Sequence, residues 1–303
     1  MPGDRGISRP AALSLMVAAP VLWSTAGVVT RHIERAAPFE MVFWRSLFAL
    51  TFVAATLLFL YRKNPFASVQ KAGWPGLVSA AMWAVMFTAF VLALRLTSTA
   101  NTLVVMSVSP LATALLARAV LTEPVPARTW VAAIAAAAGI AFMFGFSFES
   151  RRDAAGMLIA LLIPLAAAVN VVTLRAVSAR LDLIPAVMLG GALSCLVALP
   201  FASPFAASAR DLALLAFLGF FQLGLPCMLL VVASRRLAAP EIALLGLLEV
   251  VLGPLWAWLG AGEVPARATL LGGAVVLAAL IGNELAAFRR IMRGKLSVTR
   301  ISG

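Results

Sequence analysis

Charged residues are missing from long blocks of this chain. No Asp, Glu, Lys, Arg or His interrupts residues 10–30, 72–94, 96–117, 129–148, 154–174, 183–209 or 212–234. Three further blocks, 41–61, 242–262 and 268–288, carry one charge each: Arg45, Glu249 and Glu284. An α-helix rises about 1.5 Å per residue, so about 20 apolar residues cross a hydrocarbon layer about 30 Å thick. The pattern predicts an all-α membrane protein with ten transmembrane helices and very short loops.

Composition agrees. Hydrophobic residues make up 63% of the chain and charged residues 12%, against about 25% charged in soluble domains. The expected loops leave no room for a soluble catalytic domain. The formal charge of +12 does not point to nucleic acid, because the cations fall mostly in loops, one or two at a time, and form no basic face with interleaved aromatics. Cytoplasmic loops of membrane proteins carry excess Lys and Arg. With the N-terminus inside, 16 of the 24 basic residues lie on the inner side and 7 on the outer side, with Arg45 inside a helix. Both termini are then cytoplasmic. The stretch 10–30 is too long for a signal-peptide core and reads as a retained helix. Cys195 and Cys227 sit in apolar stretches without a CxxC partner, as small core residues. An Arg- and Ala-rich composition fits a bacterial inner membrane.

The chain contains itself twice. ALRLTSTANTLVV (93–105) parallels ASRRLAAPEIALL (233–245) at an offset of 140, and the same offset carries Glu123 onto Glu263. EPVPAR (123–128) returns as EVPAR (263–267), and Pro20 followed by VVT (28–30) returns as Pro164 followed by VVT (171–173). Two domains follow, residues 1–148 and 149–303, of five helices each, with the basic tail in the second. Five is odd, so the second copy enters the membrane upside down. Inverted repeats are a recurring transporter architecture, with the substrate site near the midplane between the halves.

AAPVLWSTAGVVTRH (18–32), FEMVFWRSLFAL (39–50) and VMSVSPLATALLARAVLTEPVPARTWVAAIAAAAGIAFM (105–143) in the first half, and IALLGLLEVVLGPLWAWLGAGEVPARATLLGGAVVLAAL (242–280) in the second, resemble the EamA-type branch of the drug/metabolite transporter superfamily. The resemblance spans about 12–145 and 156–287. Its most specific parts are Pro110 followed by Glu123, Arg45, and Glu249 followed by Glu263. The family pattern usually has proline directly after the position of Glu249. Here that residue is Val250 and proline comes later, at Pro254, which shifts the expected kink. The resemblance implies ten helices, cytoplasmic termini and transport of small metabolites, often export.

Chemistry is expected where polar side chains meet hydrocarbon. A charge at mid-helix costs about 2.5–3.5 kcal/mol on insertion scales, so it usually faces a cavity or a partner. Glu249 lies about eight residues into its helix, roughly 12 Å deep, and Arg45 about seven, roughly 10 Å deep. A carboxylate can take a cationic group or a proton. A planar guanidinium can take a carboxylate or phosphate. The two are also placed to pair across the bundle, and Arg45 could alternatively clamp to Glu40. Asn101, Asn170 and Gln222 can bond a ligand or a neighbouring helix. Trp23 and Trp83 fall inside helices, where an indole can wall a cavity or simply pack. Pro20, Pro110, Pro164 and Pro226 fall inside spans and are hinge candidates. The run AAIAAAAG (132–139) and Gly272-Gly273 allow close helix contact. Glu123 and Glu263 read as loop organisers, and Glu284 with the basic tail reads as an inner-surface element touching anionic lipid.

These features predict a secondary transporter of small metabolites, an exporter of amino acids or related zwitterions, since one acid and one base suit a zwitterion. A phosphorylated-sugar or nucleotide-sugar exchanger is the alternative and would favour more buried cations. A membrane-embedded enzyme lacks support: His32 is the only histidine, and no HExxH or GxSxG motif is present. A non-transporting receptor would usually bring long loops. No metal site, cofactor or GxxxxGK[ST] loop is expected, so uphill transport would draw on protons or a counter-substrate. The expected partners are a metabolite and the bilayer, with a homodimer left open.

Overall fold

In the computed structural model, the described residues are 8–60, 62, 64–122, 125–146, 151–177, 184–233, 236–237 and 239–301. Glu123, Arg235 and the side chain of Glu284 lie outside them, as do the side chains of residues 290–301. Helix is the only regular structure among the described residues. In chain order the helices are α1 (Arg9–Ser24), α2 (Ala26–Arg31), α3 (Pro38–Ala55), α4 (Pro65–Leu96), α5 (Thr99–Met106), α6 (Ser109–Leu121), α7 (Ala127–Phe146), α8 (Arg151–Ala160), α9 (Leu162–Val177), α10 (Ile184–Ala198), α11 (Ala209–Phe217), α12 (Leu225–Ala233), α13 (Ala239–Ala261) and α14 (Arg267–Ile301). Among the described residues, seven continuous or interrupted rods are long and apolar enough to span a membrane: Arg9–Arg31, Pro38–Leu60, Gly73–Leu96, Thr99–Val120, Arg151–Thr173, Ile184–Phe201 and Ala209–Leu230. Three shorter apolar helices accompany them, Ala127–Met143, Leu245–Ala261 and Arg267–Asn283.

Several rods are broken where the sequence removes backbone bonds. Pro110 follows the gap between α5 and α6, where the Ser107 and Ser109 hydroxyls donate back to the carbonyls of Val104 and Met106. Pro164 follows the gap between α8 and α9. Pro226 follows a π-helical turn, Leu218–Gly224, in which the Leu225 N–H reaches back to the Phe220 carbonyl. A proline lacks the N–H that residue i−4 needs and crowds its carbonyl, so the preceding turn loosens. Pro20 behaves differently. It lies inside a continuous α1, and the break comes later, at Thr25, where the Ser24 and Thr25 hydroxyls bond to the carbonyls of Val21 and Leu22. Helix α13 likewise runs unbroken through Pro254, so the shifted kink expected there does not interrupt the helix.

Contacts between rods have readable directions. Ser46 bonds to Ser194, and the Cys195 thiol points at the Phe43 carbonyl, so α3 and α10 run antiparallel. Thr129 bonds to Asn283, and Gly139 meets Gly272, so α7 and α14 also run antiparallel. Glycine is required at that crossing: a Cβ on Gly272 would sit 2.6 Å from the Gly139 carbonyl oxygen. By contrast α10 lies parallel to α4, with Gly190 against Trp83 and Ser194 bonded to Thr88. The π turn lies parallel to α3, with Gly219 against Phe48 and Gly224 against Phe52. Helix α9 packs on α4 and α6, and α1 packs on α12 and α13.

Candidate functional site

Arg45 is 4% exposed and Glu249 9% exposed. They come from opposite ends of the chain and meet electrostatically, together with Cys227. They are not a direct ion pair among the described residues. The Arg45 guanidinium carbon lies 5.3 Å above the Phe90 ring of α4, a cation–π arrangement that favours the charge where water is scarce. Its Nε is buried and has no hydrogen-bond partner. The alternative clamp to Glu40 does not form, because the Glu40 carboxylate accepts the N–H groups of Ala206 and Ala207.

Gln222 extends the same neighbourhood. It sits in the π turn beside α3, its Nε2 donates to the Trp23 carbonyl at 3.4 Å, and its buried Oε1 has no partner. The Trp23 side chain reaches the Cys227 thiol. Trp23 and Trp83 are both half-buried and both flank one core cluster that contains Phe87, Leu223 and Cys227. Trp83 also stacks at a tilt on Phe87, 5.4 Å between centroids. Thus Arg45, Glu249, Gln222 and Trp23 are brought together, with Trp83 packed against the same core cluster.

Asn170 and Asn101 lie elsewhere. Asn170 is buried on α9 with its Oδ1 unpaired. Asn101 is committed to the protein: it donates to Thr97 Oγ1 and accepts from Thr269 Oγ1, tying α5 to α14. Its bonds are the interhelical use of a polar residue in a bundle.

A second polar assembly sews five helix connections together on one face. Glu263 accepts from Arg31 Nε at 2.7 Å, from Thr99 Oγ1 at 3.0 Å and from the Thr99 backbone N–H. Arg31 also donates to the Thr97 carbonyl, and Arg152 donates to the Arg95 carbonyl. Asp211 accepts from the N–H groups of Glu34, Arg35 and Ser208. Glu263 is therefore the loop organiser that its position beside a proline-containing loop implied. Glu40 and Asp211 do similar work. The Asp211 role had a local signal, Ser208 three residues upstream, and the two do form a capping box at the start of α11.

Residues 10–145 match the family model described as the EamA-like transporter family. A solved crystal structure aligns with a TM-score of 0.66 at 19% sequence identity, covering 93% of this chain and 99% of its own, a likeness of fold alone. No curated protein matches the chain. Residues 10–145, just under half of the chain, are thus similar to the EamA-like transporter family of the drug/metabolite transporter superfamily, and the apolar helices among the described residues fit a multi-pass membrane protein.

Proposed function

We propose that this protein exports amino acids or related zwitterions by alternating access, through a chamber between two inverted five-helix repeats that total ten membrane spans. The observation that carries the substrate reading is Arg45: a buried guanidinium with an unpaired Nε, in electrostatic range of Glu249 but not neutralised by a direct bond. A buried charge left without hydrogen bonds is costly unless something supplies them. A substrate carboxylate fits the guanidinium fork, and its ammonium group fits Glu249 and the free Gln222 oxygen. A phosphorylated sugar brings more negative charge than one arginine beside a glutamate would favour.

Antiparallel packing of α3 on α10 and of α7 on α14 supports the inversion, since these are the second and fifth helices of each repeat. The remaining contacts are reciprocal. The third rod meets the sixth as the eighth meets the first, and the fourth meets the sixth as the ninth meets the first. The breaks before Pro110, Pro164 and Pro226, and the one at Thr25 beyond Pro20, are the joints at which the halves would rock. Sewn-together loops favour closure at the face that carries Glu263, which the charge count assigns to the outside of a bacterial inner membrane with cytoplasmic termini. Opening there requires Glu263 to release Thr99 and Arg31. The driving force is a proton gradient or counter-substrate exchange.

The test is a thermal-shift screen of purified protein against a metabolite panel, followed by counterflow in proteoliposomes. Stabilisation and exchange by zwitterionic amino acids are expected. A response confined to sugar phosphates or nucleotide sugars would replace this reading with the exchanger, and full transport in both Arg45→Ala and Glu249→Gln would remove the chamber assignment.

A further inference from the structure

We propose an anion-binding site on the Glu263 face, built from Arg95, Arg31 and Arg152, that takes the carboxylate or phosphate group of a ligand. It is separate from the chamber and does not depend on the substrate proposed there.

Arg95 lies in the last turn of α4, Arg31 ends α2 and Arg152 lies in the first turn of α8. The three guanidiniums lie close enough for Arg95 to feel the charge of both others. Like charges are gathered this way only where something compensates them. Part of the compensation is visible. Glu263 pairs with Arg31, and the carbonyls at the end of α4, which carry the partial negative charge of a helix C-terminus, accept from Arg152 at Arg95 and from Arg31 at Thr97. Arg95 is the member left incomplete: its Nε is buried and has no hydrogen-bond partner.

The backbone around this group is closely packed. Gly156 of α8 lies so close to Leu96 and Thr97 that an added Cβ would come within 2.9 Å of the Thr97 backbone nitrogen. Arg152 is thereby held against the end of α4 rather than swinging free. Guanidinium groups present planar pairs of donors that match the oxygen spacing of carboxylates and phosphates. Such an oxygen pair at Arg95 would satisfy the orphaned Nε and offset the repulsion from Arg31 and Arg152. Two sources share that chemistry: a dissolved small anion, and the phosphate of a lipid headgroup at the membrane surface.

The experiment uses the full chain in neutral detergent at low salt. Calorimetric titration with inorganic phosphate and with acetate probes a dissolved anion. Native mass spectrometry of delipidated protein offered phosphatidylglycerol or phosphatidylcholine probes a headgroup. Saturable binding in either arm, weakened about tenfold by Arg95→Gln or Arg152→Gln and retained in Arg210→Gln, upholds the site, and the responding arm names the source. Arg152 is exposed, so its variant reports even if Arg95→Gln fails to fold. Absence of binding in both arms, or binding that Arg152→Gln and a folded Arg95→Gln leave unchanged, overturns it.

Discussion

The chamber and the loop seam use the same kinds of residue in opposite ways. In the seam, Glu40, Asp211 and Glu263 each accept two or more protein hydrogen bonds. In the chamber, Arg45 Nε and Gln222 Oε1 are buried and have none. A satisfied buried group secures a fold. An unsatisfied one costs roughly 1–3 kcal/mol, and a ligand that completes it is one reason for it to persist. On the proposed function, the difference separates residues kept for architecture from residues kept for a ligand.

The largest test of that division is at its centre. Arg45→Ala is expected to reduce proteoliposome transport to background while the protein stays monodisperse, with a thermal midpoint unchanged or higher, because an incompletely satisfied buried charge is removed. Arg45→Lys should rescue poorly, since a point charge does not reproduce the planar fork. Glu249→Gln should be equally inactive. A variant at either position that unfolds instead of merely losing transport would move it into the architectural class.

The next effect concerns the joint between the two classes. A Cβ on Gly219 would lie 2.4 Å from Phe48 Cβ and 2.7 Å from the Arg45 carbonyl oxygen. Gly219→Ala should therefore push the π turn off α3, costing about 1–3 kcal/mol of stability and displacing Arg45 from Phe90. Loss of both thermal midpoint and substrate affinity is expected. A drop in stability with unaltered affinity would mean that the chamber does not depend on this packing.

What could be read in advance divides along the same line. The apolar blocks around Arg45 and Glu249 were legible because a charge within 20 apolar residues stands out, and Pro110, Pro164 and Pro226 marked helix breaks because proline removes a bond locally. Pro20 misled, since the break beside it comes from Ser24 and Thr25 hydroxyls that no spacing rule ranks above a proline. The convergence of Gln222 with Trp23 could not be seen: the residues are 199 positions apart and meet through backbone geometry. The seam was half-legible. Glu263 could be assigned to a loop, but its partners Arg31 and Thr99 come from two other connections. Asn101 and Gln222 look the same in the sequence, neutral polar residues in apolar blocks; the placement of Thr97 and Thr269 commits both ends of Asn101, while Gln222 keeps an unpaired Oε1.

Within the seam, Glu263→Ala strands the Arg31 Nε and the Thr99 N–H, while Arg31 Nη2 keeps the Thr97 carbonyl. Both side chains of the ion pair are partly exposed, at 27% and 16%, so water replaces some of the loss and about 1 kcal/mol is expected. If the seam closes that face during transport, the same variant should raise passive leak while leaving substrate affinity near wild type, which flux and binding assays on one preparation can separate. Reduced affinity without leak would place Glu263 with the chamber instead.

The smallest expected effect marks the lower limit of the architectural class. Arg210 and Glu34 form an ion pair at 3.2 Å on the same face as Glu263, but their side chains are 63% and 71% exposed. Exposed pairs gain little Coulomb energy, order two long side chains and are screened by salt. Arg210→Ala should change stability by a few tenths of a kcal/mol at most and leave transport intact, as read by thermal unfolding and flux in parallel. Glu34 loses nothing buried in the exchange, because Asp211 holds this loop through the Glu34 and Arg35 backbone rather than through their charges. A large loss at Arg210 would mean that the seam is held by surface charge, and the contrast between satisfied seam carboxylates and an unsatisfied chamber would then rest on Arg45 and Gln222 alone.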